Sequence, residues 1–269
     1  MDRGSEARAL SRRRIGRGLT VLLLAVESAT DAAGVALVDD SGPLVAVEIG
    51  RGRHHAEALA PAIAFACERA GVRIAALDVL AVDVGPGLFT GLRVGVGTVK
   101  ALAMALELPI AVATSLEVLA HAVAGSGLAS GTTVVPVVDA RRGEVFSAPF
   151  EVKGGQAIQR GEEAISSPSS LAATLAGLGR PCVLAGDGAL RHAELFAAVD
   201  GVELAGEAFA HPPVASLASL GRDRAVTGAV QAEPDVTARY LRGADVRINW
   251  ETRQTRPAGG THPVPEQAR

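Results

Sequence analysis

Nine residues, Gly85-Pro86-Gly87-Leu88-Phe89-Thr90-Gly91-Leu92-Arg93, limit what this chain can fold into more than any other stretch. They follow an apolar run at 79–83 and lead into residues 94–106, a helical pattern that ends before Pro109. The order is strand, glycine-rich turn, helix. Three glycines and a proline let the backbone bend sharply and come close to whatever lies beside it, and Thr90 is the candidate N-cap. A helix N-terminus reached through such a turn can hold a phosphate. The spacing is G-x-G-x-x-x-G rather than the dinucleotide fingerprint, and no Gly-Lys-Ser/Thr follows to make a P-loop. The residue types therefore leave two readings open, a phosphate cradle and a structural turn.

The helix after the turn carries Gly91, Gly95 and Gly97, each costing about 1 kcal/mol relative to alanine. Something must offset that cost. Small residues at i and i+4 let another backbone approach closely, while Leu92, Val96, Val99 and Ala103 form an apolar stripe. Close packing on the protein's own sheet and docking against a partner helix both fit this pattern.

Of 269 residues, 48% are hydrophobic and 20% charged, a balance that supports a sizeable core in two lobes. The formal net charge of −3 supplies no basic field for autonomous nucleic-acid binding, and 3% aromatics argue against a base-stacking platform. Cys67 and Cys182 have no metal spacing and read as reduced thiols in the cytoplasm. His54 and His55 are sequence neighbours that point to different helix faces, so they read as a solvated helix start rather than a metal site. No stretch approaches the roughly 20 apolar residues a membrane helix needs, and no membrane association is expected.

Residues 1–18 are rich in arginine and poor in apolar groups, which predicts a disordered tail; the apolar run at 19–26 is too short for an export signal and ends at Glu27. A meander of three strands opens the fold, at 19–26, 34–38 and 44–49. A helix over 54–70 follows, with Pro61 too far in to be a first-turn proline. The glycine turn, its helix, a strand at 110–113 and a helix over 115–124 complete the first lobe, 19–125. A loop of small residues leads to the second lobe, 126–250, with a hairpin at 134–147, a helix at 171–178, a strand at 183–185, the turn Gly186-Asp187-Gly188, and helices at 189–199 and 214–226. Residues 251–269 lack apolar periodicity and are predicted to be a disordered tail.

Four features together resemble one family: the strand–hairpin opening with a polar turn after its first strand, Gly85 to Arg93, the hairpin Val138-Asp139-Ala140-Arg141-Arg142-Gly143-Glu144-Val145-Phe146, and Tyr240-Leu241-Arg242. This is the TsaB (YeaZ) family of tRNA threonylcarbamoyladenosine biosynthesis, and the likeness runs from about 19 to 242. It implies an actin-like, Hsp70-like (ASKHA) α/β fold of two lobes, with mixed sheets flanked by helices and a reduced second lobe. It also implies a non-catalytic partner of TsaD, the paralogue that transfers threonylcarbamoyl to adenosine beside the anticodon of tRNAs reading codons that start with A. TsaE joins through the TsaB–TsaD complex, tRNA is met only within the complex, and the free protein pairs with a second copy of itself. The partner surface implied is formed by the helices at 57–70 and 90–106, with Leu59, Ile63, Thr90, Gly91, Leu92, Gly95, Val96 and Val99 as its candidate residues.

The catalytic paralogue carries a metal-binding His-x-x-x-His pair after its glycine turn and helix. Here the corresponding segment, Ile110-Ala111-Val112-Ala113-Thr114-Ser115-Leu116-Glu117-Val118, has no histidine. A catalytic metal needs about three protein ligands, so no metal site and no catalytic residue are expected. Glu117 reads as a surface charge and His121 as a solvated helix residue. Gly85, Gly87, Gly186, Asp187 and Gly188 read as relic phosphate turns, with Asp139 a further acid, and Glu27 stands where nucleotide-hydrolysing relatives keep a metal-directing acid. The chain itself needs no cofactor, and a nucleotide at the partner interface is left open. Arg141 and Arg142, in a hairpin turn, read as solvated rather than tRNA-bound. The alternative is an active ASKHA enzyme, a small-molecule kinase or a glycoprotease-like peptidase, though no HExxH, GxSxG or Cys/His pairing supports peptidase chemistry.

Overall fold

A computed structural model describes residues 20–50 and 55–241. The expectations for both tails, for the His54/His55 pair and for Arg242 lie outside the described residues and side chains. Leu23–Glu27 (β1) and Val79–Asp83 (β4) are buried along their whole length, as continuous apolar runs in the middle of a sheet must be. They pair in parallel, with Leu23 opposite Val79. Ala33–Asp39 (β2) runs antiparallel to β1, Gly42–Ile49 (β3) forms one edge, and Ile110–Ala113 (β5) lies parallel to β4 at the other. The order is β3-β2-β1-β4-β5.

The second sheet repeats this plan. Thr133–Arg141 (β6) is antiparallel to Glu144–Ser147 (β7) and parallel to Cys182–Ala185 (β11), which is parallel to Val202–Leu204 (β12). Thus β6, β7, β11 and β12 stand as β1, β2, β4 and β5 do in the first lobe, the duplicated arrangement of an actin-like fold. Three short strands, Phe150–Lys153 (β8), Gln156–Gln159 (β9) and Ala164–Ser166 (β10), bring the second sheet to seven. Runs of three or four partly polar residues carry too little alternation to be read beforehand. The reduction of the second lobe falls on its helices. After the first glycine turn stands an 18-residue helix, Phe89–Leu106 (α2), whereas after the second stand two five-residue helices separated at His192.

Alternation along the central strands sorts side chains to the two faces of each sheet. From β1, Leu24 and Val26 meet His55–Ala70 (α1) and α2 through Leu59, Ile63, Val96 and Val99. Leu23 and Ala25 point the other way, against Leu217, Ala218 and Ala225 of Val214–Thr227 (α7). Ser115–Gly125 (α3) contributes Leu116, Leu119 and Val123 to the second sheet, against Val134, Val138 and Phe150. Its far face is covered by Leu171 and Leu175 of Pro168–Ala176 (α4), Ala189 of Asp187–Arg191 (α5) and Phe196 of Ala193–Ala197 (α6). The sheets divide near residue 125, but the helices cross: α3 covers the second sheet and α7 returns to the first. Gly221 makes the return close, since a Cβ there would stand 2.6 Å from Ala81 Cβ.

Several local expectations change. The N-cap of α2 is Leu88, with no side-chain cap, so Thr90 is inside the first turn rather than before it. Thr114 caps α3, in a reciprocal box with Glu117, which is therefore not a plain surface charge. Helix α1 runs through Pro61, which stands on its exposed side. By length and composition α2 is apolar enough to cross a membrane, but Leu92, Val96, Val99 and Ala103 seal it onto the first lobe as a core helix. After α7, residues 229–239 return over the first lobe: Gln231 bridges to Ile110, Lys100 Nζ donates to the Val236 carbonyl at 2.9 Å, and Arg239 N–H donates to the Val84 carbonyl at 2.7 Å.

Leu217 is fully buried where α7 seals the first sheet. Leu217→Ala should cost about 2–5 kcal/mol. Because a helix from beyond the second sheet is what it loosens, urea denaturation should show the loss in a single cooperative transition. Two separated transitions would contradict the crossing of helices between lobes.

Candidate functional site

The C-terminal ends of β1, β4, β6 and β11 converge between the lobes, and each delivers an acid or a glycine turn. Glu27 ends β1 and Asp83 ends β4; they are 2% and 1% exposed. Glu27 Oε1 accepts from Ala29 N–H at 2.8 Å, and Asp83 Oδ1 accepts from Gly85 N–H at 2.7 Å and Ser115 Oγ at 2.9 Å. Their other oxygens, Glu27 Oε2 and Asp83 Oδ2, meet no donor among the described residues. Burial raises both carboxyls, Asp83 to about 6 and Glu27 well above its ordinary range, the latter further by the charge of Asp83. Two carboxyls so close in a low-dielectric site resist ionising together, so the pair titrates as a unit and keeps a proton between them.

The glycine turn is closed against the protein's own backbone. A Cβ at Gly87 would overlap the Ala29 carbonyl oxygen, which also accepts from Leu88 N–H at 2.6 Å. At Gly85, φ is +100°, and a Cβ would press Leu92 Cδ1 at 2.8 Å. The second turn behaves likewise: Gly186, at φ +112°, would overlap the Val137 carbonyl, and Gly188 would press it at 2.9 Å. Asp187 Oδ1 accepts from Asp139 N–H at 2.9 Å. The close approach that these glycines permit is therefore taken up within the protein, by Ala29 of the turn after β1 and Leu92 of α2 at the first turn and by Val137 of β6 at the second.

Arg141 spans the cleft. Its Nη2 donates to Asp31 Oδ2 of the first lobe at 2.7 Å and its Nη1 to Asp139 Oδ2 at 3.1 Å, while Arg191 Nη1 reaches the same Asp139 oxygen at 2.8 Å. Arg141 is thus an inter-lobe tie rather than a solvated turn residue; Arg142 is exposed beside it. With both side chains of the Arg141–Asp31 pair 40% exposed, solvent screens the tie to about 1 kcal/mol or less. Glu117 is not a free surface charge either, since its Oε1 accepts from Arg224 Nη2 at 2.9 Å and links α3 to α7. His121 is half-buried, not solvated, and burial lowers its proton affinity. No group of three or more His, Cys, Asp or Glu able to hold a metal occurs among the described residues.

The apolar stripe of the two helices, expected to meet a partner, faces the protein's own first sheet. Leu59, Ile63, Leu92, Val96 and Val99 lie in the first lobe's own core, because an apolar stripe on a helix beside a sheet turns toward that sheet. Gly91 and Gly95 face β1 and its turn: Ser28 Oγ donates to the Gly91 carbonyl at 2.9 Å, and a Cβ at Gly95 would overlap that hydroxyl. Of the eight candidates only Thr90 is exposed. The outward faces carry Pro61, Ala64 and Phe65 on α1, and Gly97, Ala101, Met104 and Ala105 on α2. Phe65 is 51% exposed and Met104 72%. The signal was there in the phase: both are large apolar residues that fall off the buried stripe. At the start of α2, Arg93 sits 3.9 Å over the Phe89 ring, and the Tyr240 ring packs against Phe89 at 5.2 Å, tilted by 44°.

A family model described as "TsaD: tRNA N6-adenosine threonylcarbamoyltransferase" matches residues 50–222. The chain is 27% identical over 230 residues to the tRNA threonylcarbamoyladenosine biosynthesis protein TsaB of Bacillus subtilis, covering 85% of this chain and 97% of that one. To the protein of that name from Escherichia coli it is 33% identical over 142 residues, 52% of this chain and 59% of that one. Among solved structures, YeaZ from Pseudomonas aeruginosa is similar at a TM-score of 0.69 and 28% identity, covering 82% of this chain and all of that one. A second, described as an uncharacterized protein with similarity to peptidase YEAZ from Pseudomonas aeruginosa, has a TM-score of 0.72 at 29% identity, with the same coverage.

Two outcomes follow from this geometry. Gly95→Ala should destabilise the fold by about 1–3 kcal/mol by overpacking against Ser28, and a Ser28→Gly background should recover part of the loss in a double-mutant cycle. Additive effects would mean that the two residues do not meet. Asp83 holds its proton more tightly folded, at about 6, than at its ordinary 3.8, so the folded state binds more protons in that interval and stability falls as pH rises through it. Asp83→Asn should flatten that slope in denaturation curves measured from pH about 4 to about 7.

Proposed function

The chain belongs to the family described as TsaD, tRNA N6-adenosine threonylcarbamoyltransferase, and within it to the TsaB (YeaZ) proteins; from that premise we propose that it serves tRNA threonylcarbamoyladenosine synthesis as a non-catalytic subunit that binds and supports TsaD. The observation that carries this reading is the outward face of α1 and α2, which exposes Phe65 and Met104 among alanines and glycine. A large exposed apolar surface on a soluble lobe is costly unless something covers it. The small residues around those two let a partner helix come close, so the phenyl ring and the thioether act as anchors in an otherwise smooth surface.

The cleft between the lobes supports the same division of labour. Its glycine turns are packed against Ala29 and Val137, and Arg141 ties its two sides through Asp31 and Asp139. A nucleotide-hydrolysing site needs donors aimed at phosphate and a positioned base; here the donors are engaged within the protein. The subunit would work in the cytoplasm, where TsaD acts on tRNA, and TsaE would join through the same complex. A second copy of the chain would use the α1–α2 face when TsaD is absent.

Phe65→Glu with Met104→Glu places two carboxylates on that face. The double variant should bind purified TsaD about tenfold or more weakly, read by calorimetry or co-elution. Its stability should stay within about 0.5 kcal/mol per surface site. Undiminished binding would remove the face from the interface, and measurable ATP turnover by the purified chain alone would contradict the non-catalytic role.

A further inference from the structure

The exposed side of α2 runs on past the residues that anchor the proposed partner face. Phe89, Arg93, Gly97, Ala101 and Met104 are all exposed and fall three or four positions apart, so they form one ridge about 22 Å long at 1.5 Å per residue. Its far end, at the start of the helix, is neither small nor smooth. Phe89 and Tyr240 are 51% and 47% exposed, and the Arg93 guanidinium lies over the Phe89 ring. Tyr240 reaches this place from the other end of the chain, on a segment held by buried Val236 and by the bond from Arg239 N–H to the Val84 carbonyl.

Helix α2 and residues 229–241 carry three cations, Arg93, Lys100 and Arg239. Lys100 is engaged by the Val236 carbonyl and pairs with Glu233 at 3.2 Å. Arg239 pairs at 3.3 Å with Glu163, whose side chain is almost fully buried. Arg93 differs from both. Among the described residues it has no acidic partner and no hydrogen-bond acceptor, and the Phe89 ring is what it rests on. A guanidinium over an aromatic ring keeps its fork of N–H donors, which matches a carboxylate with two parallel bonds.

We propose that Arg93, with Phe89 and Tyr240 beside it, is a socket for one carboxylate of TsaD, from an aspartate or glutamate at the border of the apolar contact. The inference rests on the α1–α2 face as the place where TsaD binds, and it adds the polar end of that face. Covering the two rings takes the ion pair out of water, which strengthens it and penalises a partner that lacks the acid. The apolar anchors Phe65 and Met104 supply adhesion, and the socket fixes register along the ridge. An RNA phosphate track would need several unpaired cations in a row. Here a single one stands at the end of a ridge that continues through Gly97, Ala101 and Met104, all uncharged, so the observations favour a protein carboxylate.

The test uses the full chain with purified TsaD. Arg93→Met keeps an apolar stem over the ring and removes the charge; it should weaken binding about tenfold and flatten its dependence on salt, with an unchanged melting curve. Arg93→Lys supplies a primary amine at the same place. Treated with a carbodiimide in the complex, it should form an amide with a TsaD carboxyl group, the reagent taking up the water lost, and mass spectrometry should find position 93 joined to an aspartate or glutamate of TsaD. Arg93→Met should give no such product. Equal TsaD affinity for Arg93→Met and the unaltered chain, or no cross-link at position 93, would overturn the proposal. If Phe65→Glu with Met104→Glu still abolishes binding in that case, the face stands and only the socket falls. Binding of tRNA by the chain alone that is lost in Arg93→Met, with TsaD affinity unchanged, would assign the cation to phosphate and overturn it as well.

Discussion

Ser28 and Ala29, in the turn after β1, press against the backbone of α2 and of the glycine turn that precedes it. A side chain at Gly87 would overlap the Ala29 carbonyl, and one at Gly95 would overlap the Ser28 hydroxyl. The helix can lie so close only because both positions are glycine, and that contact offsets a helix-propensity cost of about 1 kcal/mol at Gly95. From it follow the burial of Leu92, Val96 and Val99, the outward turn of Met104, and the sealing of the first glycine turn. The same local rule, glycine where backbone meets backbone, repeats at Gly186 and Gly188 against Val137.

Duplication explains why the interior between the lobes is acidic. Each central strand pair ends in carboxyl groups, Glu27 with Asp83 in the first lobe and Asp139 with Asp187 in the second. In the first pair a shared proton removes one of the two charges. The second meets guanidinium groups, Arg141 and Arg191, and Arg141 carries the compensation on to Asp31 across the cleft. Carboxylates that could direct a metal elsewhere in such a fold are here balanced by a proton and by arginine.

Much of this could be read before the structure. Continuous apolar runs marked β1 and β4 as strands covered on both faces, a threonine before the helical run marked the cap of α3 although Glu117, read as a surface charge, closes that cap, and the turn residues marked the hairpin after β6. The stripe on α2 was read correctly as apolar but its partner remained open, since a helix has no means of saying whether sheet or subunit faces it. Burial decided for the sheet. The crossing of α3 and α7 between lobes is a long-range packing choice that local patterns do not encode, and β8 to β10 are too short and too polar to show a period. Arg141 looked like a turn residue because Asp31, its partner, lies 110 positions away.

The central claim is that this chain serves the modification of tRNA. The most direct measurement is nucleoside mass spectrometry of bulk tRNA from the native host after depletion of the protein. The account predicts loss of threonylcarbamoyladenosine and its return when the chain is re-expressed in the presence of TsaD. An unchanged level of the modified nucleoside after complete depletion would contradict it.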